Sequence, residues 1–169
     1  SDVRGYMRHE KVERMTLLEN VARRISREKL PTNEEWVRMT TMGGFRQVGR
    51  SATLLTTNNS KILIDCGLDP GSEATPYFKI PEVNPLESID AVVITHAHLD
   101  HCGTLPALFK YGYEGPVYCT APTRDLMALL QLDNIKLGYG EARKNLYDAS
   151  NVRKEILHTI PLKYNETTD

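Results

Sequence analysis

The stretch Ala91-Val92-Val93-Ile94-Thr95-His96-Ala97-His98-Leu99-Asp100-His101 constrains this chain more than any other. It opens apolar and β-branched, which predicts a buried strand over Ala91 to Ile94, bounded before by Asp90. Beyond it His96, His98 and Asp100 recur at every second residue. In extended backbone that spacing sends all three side chains to one side. His101 follows directly, and Gly103 lets the chain turn away. The chain has five histidines, and three of them fall within this window, which argues against scattered surface imidazoles. Neutral imidazole and carboxylate at the end of a buried strand make a cradle for Zn²⁺, and less selectively for Mn²⁺ or Fe²⁺. Four donors can close around one ion. Adjacent residues on a turning chain point in different directions, so the expected division gives His96 and His98 one metal and lets Asp100 and His101 begin a second site.

Composition narrows the class without adding chemistry. A chain of 169 residues with 40% hydrophobic and 25% charged residues supports one ordinary core. The formal net charge of −1 gives no whole-chain sign of a nucleic-acid coat and leaves only a local basic patch. Cys66, Cys102 and Cys119 are widely spaced and lack any Cys-x-x-Cys pair, so they read as reduced thiols of a cytoplasmic protein. Cys102 adjoins the histidine cluster and is read as a small buried filler, not a ligand. No signal peptide and no bilayer-spanning apolar run is present, so no membrane partner is expected.

Along the chain, Val12, Met15, Leu18, Ala22 and Ile25 form an apolar stripe that predicts an amphipathic helix over Tyr6 to Leu30, ended by Pro31. Its many arginines and lysines suit a solvated face or an RNA-facing one. Trp36 to Thr41 alternates like a strand. Ser51 to Thr57 and Lys61 to Ile64 predict a hairpin, with Asn58-Asn59 supplying positive φ at the turn. The second of these strands delivers Asp65, a carboxylate able to orient metal ligands by hydrogen bonding. Cys66 to Asp90 is a proline-containing loop, either a channel rim or a surface excursion. A helix is expected over Leu105 to Tyr111, with Leu105, Leu108 and Phe109 inward. A strand follows over Val117 to Thr120, then a helix from Thr120 or Ala121 to about Leu132 that packs through Leu126, Leu129 and Leu130. Asn134 to Tyr147 reads as a polar, basic connection. Asp148 is expected to cap a helix to about Leu157, with His158 an ordinary end-of-helix imidazole and a strand starting near Ile160. The alternation of strand and helix implies an α/β layered domain.

The segment Thr95-His96-Ala97-His98-Leu99-Asp100-His101 resembles the second motif of the metallo-β-lactamase superfamily. Gly43-Gly44-Phe45-Arg46-Gln47-Val48-Gly49-Arg50-Ser51 and Ile62-Leu63-Ile64-Asp65-Cys66-Gly67 resemble its β-CASP branch of RNA- and DNA-processing nucleases. The run from Lys110 to Leu132, with Tyr111-Gly112-Tyr113-Glu114-Gly115-Pro116, resembles the archaeal CPSF-type ribonucleases, which carry N-terminal KH domains and act in transcription termination. The likeness covers roughly Glu35 onward. It implies an αββα sandwich, here its N-terminal half (35–169), preceded by a helix and linker (1–34) where KH domains join. It further implies two Zn²⁺ per complete site, about 3.5–4 Å apart, with His96 and His98 on one and Asp100 and His101 on the other. Asp65 and Asp100 would assist the chemistry, in which a metal-bound hydroxide hydrolyses RNA. RNA, a second copy in a homodimer and RNA polymerase are the implied partners; no RNA-contacting residue is assigned.

The family's later histidines and bridging aspartate cannot be located before Asp169. The expectation is therefore a piece holding half of the ligands, weak in zinc binding, inactive alone, and leaving a sheet edge open to self-association. Two alternatives stay open: a thioesterase of the glyoxalase II kind sharing the His-x-His-x-Asp-His pattern, and a non-catalytic scaffold that binds RNA or partner proteins.

Overall fold

The computed structural model describes residues 15, 35–69, 71, 75–140, 145–165 and 167. The chain divides into two compact units, Ser1–Glu35 and Trp36–Asp169, and nearly all described residues belong to the second. Apart from Met15, which is helical and exposed, the helix expected over Tyr6 to Leu30 lies outside the described residues.

The described residues build one six-stranded mixed sheet in the order β1-β2-β3-β4-β5-β6. Strands β1 (Val37–Gly43), β2 (Ala52–Thr57) and β3 (Lys61–Ile64) form antiparallel hairpins. Strands β4 (Ala91–Val93), β5 (Val117–Thr120) and β6 (Thr159–Leu162) continue from β3 as a parallel run. Parallel strands need long crossovers. These contain α1 (Leu99–Cys102), α2 (Leu105–Lys110), α3 (Ala121–Gly140) and α4 (Ala149–His158). The domain is thus α/β, as the alternation of periods implied.

The core forms because apolar residues alternate on the strands and recur by thirds and fourths on the helices. Leu54, Leu63, Val92, Val117, Leu105 and Met127 are all fully buried. Removing such a side chain from water is worth about 1.5–3 kcal/mol each. Leu105, Leu108 and Phe109 point inward as expected, and Pro106 occupies the first turn of α2, where its missing N–H costs nothing. Asp148 caps α4 as expected. Its side chain accepts from Ser150 N and Asn151 N, while Asn151 Oδ1 accepts from Asp148 N.

Four expectations are corrected. The turn joining β2 to β3 has no positive φ at Asn58 or Asn59. Thr57 Oγ1 instead accepts from Asn59 N and Ser60 N at 3.3 and 3.0 Å, doing the work assigned to asparagine. Helix α3 extends to Gly140, through the segment read as a polar connection; the buried Ile135, four residues beyond Gln131, extends its inner face. That face runs through Thr123, Met127, Gln131 and Ile135, all buried, whereas Leu126 and Leu129 are exposed. A strict i, i+4 row, not the leucines, sets its orientation. Finally, backbone is not extended through Asp100. The chain bends at His98, the N-cap residue, and Asp100 and His101 stand on α1.

The loop from Cys66 to Asp90 is anchored to the core. Val83 and Ile89 are buried, and Phe78, Ile80 and Leu86 pack against the core from its described portion. Lys61 Nζ donates to Glu82 O and Ser88 Oγ, tying the loop back to β3.

Candidate metal centre

The carboxyl ends of β3 and β4 lie side by side, the place where open α/β sheets bind ligands. Asp65 directly follows strand β3, and its φ of 60° is left-handed, a conformation aspartate tolerates better than most residues. This kink turns a 4% exposed carboxylate toward the residues that follow β4. Thr95 N donates to Asp65 Oδ1 at 2.9 Å, Thr95 Oγ1 lies 3.0 Å from both carboxylate oxygens, and His101 Nδ1 lies 2.8 Å from Oδ2.

In neutral rings these contacts select the tautomers. With Asp65 as acceptor, His101 carries its proton on Nδ1 and presents a bare Nε2. Thr95 has one hydroxyl proton, and Asp65 takes it. Thr95 Oγ1 then accepts from His96 Nδ1, 3.0 Å away, so His96 also presents a bare Nε2. The rings of His96 and His101 are 3.9 Å apart by centroid, and those of His96 and His98 are 4.8 Å apart. Asp100 Oδ2 is 3.6 Å from His101 Nε2, beyond hydrogen-bonding range. His98 is exposed, whereas His96, Asp100 and His101 are partly buried.

Helix α1 is clamped by backbone. Asp100 O accepts from Ser51 N at 2.8 Å, His101 O from Cys66 N at 2.7 Å, and Leu99 O from Leu68 N at 2.9 Å. Gly67 passes so close that a Cβ there would fall 1.7 Å from Asp100 O. Arg50 N donates to Leu68 O, while its guanidinium stacks on Tyr77 and bonds Gln47, Thr75 O and the Tyr77 hydroxyl. The two glycine-containing motifs, Gly43–Ser51 and Ile62–Gly67, therefore meet at the helix carrying Asp100 and His101. Spacing alone gave no sign of that convergence.

Cys102 is fully buried and its thiol donates to Ala97 O, as befits a filler. Cys66 and Cys119 are likewise buried and free. His158 Nδ1 lies 3.2 Å from Gly115 O and its ring packs on Phe109, which gives it a local structural use. Gln131 and Glu155 were missed by sequence reasoning. Both are fully buried near α1, and as polar residues on helices they would ordinarily be assigned to solvent.

The donor chemistry of His96, His98, Asp100 and His101 suits zinc: imidazole nitrogens, two of them with Nδ1 already engaged, and a carboxylate. Among the described residues, no three His, Cys, Asp or Glu side chains are gathered tightly enough to enclose an ion. The residues thus fit the metal by kind, and fall short of a closed cage.

The Metallo-beta-lactamase superfamily model matches residues 45–157. This chain belongs to that superfamily. It is 55% identical over 170 residues to the protein named transcription termination factor FttA of Methanosarcina mazei, spanning 99% of this chain and 26% of that protein. The namesakes in Methanothermobacter thermautotrophicus and Methanocaldococcus jannaschii are 48% and 44% identical, with 99% of this chain covered and 27% and 26% of theirs. The chain therefore spans about a quarter of the length of the curated relatives it matches. These relatives bear out the resemblance to the archaeal CPSF-type branch. A solved metallo-beta-lactamase of Cronobacter sakazakii is 27% identical over 49% of this chain and 30% of its own, with a TM-score of 0.38. Among the described residues no helix is long and apolar enough to cross a membrane.

Proposed function

We propose that this chain contributes to a zinc-dependent centre that hydrolyses RNA phosphodiester bonds in transcription termination. The observation that carries the proposal is the Asp65–Thr95–His101 network, which engages Nδ1 of both His96 and His101 on one edge of the sheet. Membership of a hydrolase superfamily and relatives named for transcription termination support the same reading.

His96 and His98 would hold one zinc ion, and Asp100 and His101 a second. Bound zinc supplies Lewis acidity toward water and toward phosphoryl oxygens. The chain's own part is orientation. Asp65 holds His101 in the Nδ1–H tautomer, Thr95 does the same for His96, and the backbone clamp from Ser51, Cys66 and Leu68 fixes the direction of Asp100. Asp100 would orient an attacking water by accepting a hydrogen bond from it. RNA, a second copy of the chain and RNA polymerase are the proposed partners, and the cytoplasm the proposed location.

The test is RNA cleavage by the natural polypeptide that contains this sequence, with zinc content measured alongside. His96→Ala is expected to lower cleavage by about 100-fold and to remove one of the two zinc ions, since even a residue that only supports a metal ligand is worth about 10–100-fold in affinity or activity. Zinc retention with undiminished cleavage by that variant would reject the proposal. Hydrolysis of thioesters with no action on RNA would favour the thioesterase alternative.

A further inference from the structure

Close to α1 lies a second polar pair, sealed from water. Gln131 on α3 and Glu155 on α4 are both 0% exposed. Gln131 Nε2 donates to Cys102 O at 3.0 Å and to Glu155 Oε1 at 3.1 Å, which uses both amide hydrogens. Gln131 Oε1 and Glu155 Oε2 are buried with no partner. Among the described residues no Lys, Arg or His forms an ion pair with Glu155.

An ionised carboxylate in that place meets one donor and no cation. Its desolvation penalty is large, and a single charge-assisted hydrogen bond from one amide, with the second oxygen unmet, does not offset it. The two orphaned oxygens are the remaining halves of a complementary pair. A protonated Oε2 becomes a donor, and the acceptor that lacks one is the amide oxygen of the side chain already bonded to Oε1. A carboxylic acid and a primary amide close into a ring in this manner: N–H to the acid carbonyl, acid O–H back to the amide oxygen.

We infer that Glu155 is kept as the neutral acid, closed on Gln131 in a reciprocal acid–amide pair that holds the Cys102 carbonyl and so the end of α1, the helix bearing Asp100 and His101. Glu155 and Gln131 are then positioning residues, acting through Cys102 O. Their effect on metal binding rests on the function proposed above; the protonation of Glu155 does not.

The surroundings agree. The titratable groups that sense Glu155 are Cys66, Cys102, Cys119 and Tyr147, each pushed by burial toward its neutral form. Burial raises Glu155 itself to about 8, against an ordinary 4.5. Thr159 Oγ1 donates to Glu155 O at 2.8 Å, tying the end of α4 to β6. The sign of the linkage follows. A folded acid that keeps its proton while the unfolded chain loses it gives stability that is full below pH 4.5. That stability declines up to about pH 8 and is then constant. Within that window, one proton per molecule shifts the unfolding equilibrium by about tenfold per pH unit.

The experiment has two arms on the 169-residue chain. In the first, carbon-13 NMR follows the Glu155 carboxyl carbon through a pH titration. The expected result is a protonated signal at neutral pH and a midpoint near 8; titration in the ordinary carboxylate range would overturn the inference. In the second, urea unfolding is compared across pH for the wild type, Glu155→Gln and Glu155→Leu. Glu155→Gln, whose amide can close the same ring, is expected to fold and to lose the tenfold-per-unit slope; an unchanged slope would also overturn the inference. Glu155→Leu is expected to weaken zinc binding about tenfold, with Glu155→Gln restoring it. Zinc binding is read on the natural polypeptide that contains this sequence, and if that wild type binds no zinc, the proposed metal centre fails while the titration still decides the protonation. If Glu155→Leu does not fold, the titration and Glu155→Gln suffice.

Discussion

Two carboxylates are buried close to the same short helix, and the protein treats them differently. Asp65, 4% exposed, has donors on both oxygens: the Thr95 backbone and hydroxyl on one side, the His101 imidazole on the other. Glu155, 0% exposed, has a donor on one oxygen only. The difference comes from secondary structure. Asp65 stands where a parallel strand ends, so the chain leaving the neighbouring strand passes with an unused N–H. Glu155 stands inside a helix and faces another helix, whose backbone N–H groups are already spent on their own turns. At the strand end a carboxylate can be met by donors; between helices it must carry its own proton. Only the strand-end site leaves an acceptor with which to orient an imidazole.

The largest loss of stability is expected for Asp65→Ala. It strands the Thr95 N–H and His101 Nδ1 and places alanine at a φ of 60°. Together these cost about 3–5 kcal/mol, read as a fall in the urea midpoint at neutral pH. Asp65→Asn keeps the shape and tolerates the φ, so it should lose about half as much. Equal losses for the two variants would mean that the donor set, and not the backbone angle, keeps Asp65 in place. Gly67→Ala comes next. Its Cβ would meet Asp100 O at 1.7 Å, and relieving a clash with backbone costs about 2–3 kcal/mol. Because the atom pushed is the carbonyl of Asp100, zinc affinity should fall with stability. A variant that loses one without the other would show that α1 is not held by this close approach.

Asp148 supplies a third, exposed carboxylate for the same contrast. Bonds from Ser150 and Asn151 hold its carboxyl below the ordinary 3.8. A lowered value means the cap contributes above 3.8 and is lost as pH falls through the folded value. Asp148→Ala should therefore lower the Tm modestly at neutral pH, and the gap from wild type should close in strong acid. A gap unchanged by acid would mean that something other than the carboxylate charge caps α4.

Much of this was legible in the residues. The apolar run before Thr95 fixed β4, Pro106 and Asp148 marked helix starts, and the clustered histidines announced a donor set. What stayed illegible has a common cause: it depends on partners distant in sequence. Ser51 and Gly67 meet Asp100 through backbone atoms, which leave no pattern in side-chain chemistry. Gln131 and Glu155 satisfy each other across 24 residues, and neither alone differs from a solvated helix residue. The inner face of α3 is not legible from its leucines, because the buried i, i+4 row of Thr123, Met127 and Gln131 has two polar members. Asp100 was placed in extended backbone because alternation cannot show where a strand stops.

The smallest effect on stability, and the sharpest test of the contrast, belongs to His98→Ala. Unlike Asp65, His98 is exposed, and its side chain makes no capping hydrogen bond at the start of α1. Its one described ring contact is an edge approach to His96. Surface substitutions of this kind change stability by no more than about 0.5 kcal/mol. An ordinary surface histidine would then leave every measurement unmoved. The proposed centre requires instead that zinc affinity drop about 100-fold while the unfolding curve stays in place. Isothermal titration with Zn²⁺ beside the unfolding curve of the same variant separates the two. Coincident loss of both would move His98 into the same structural class as Asp65, and retention of both would leave the edge of the sheet without its first metal.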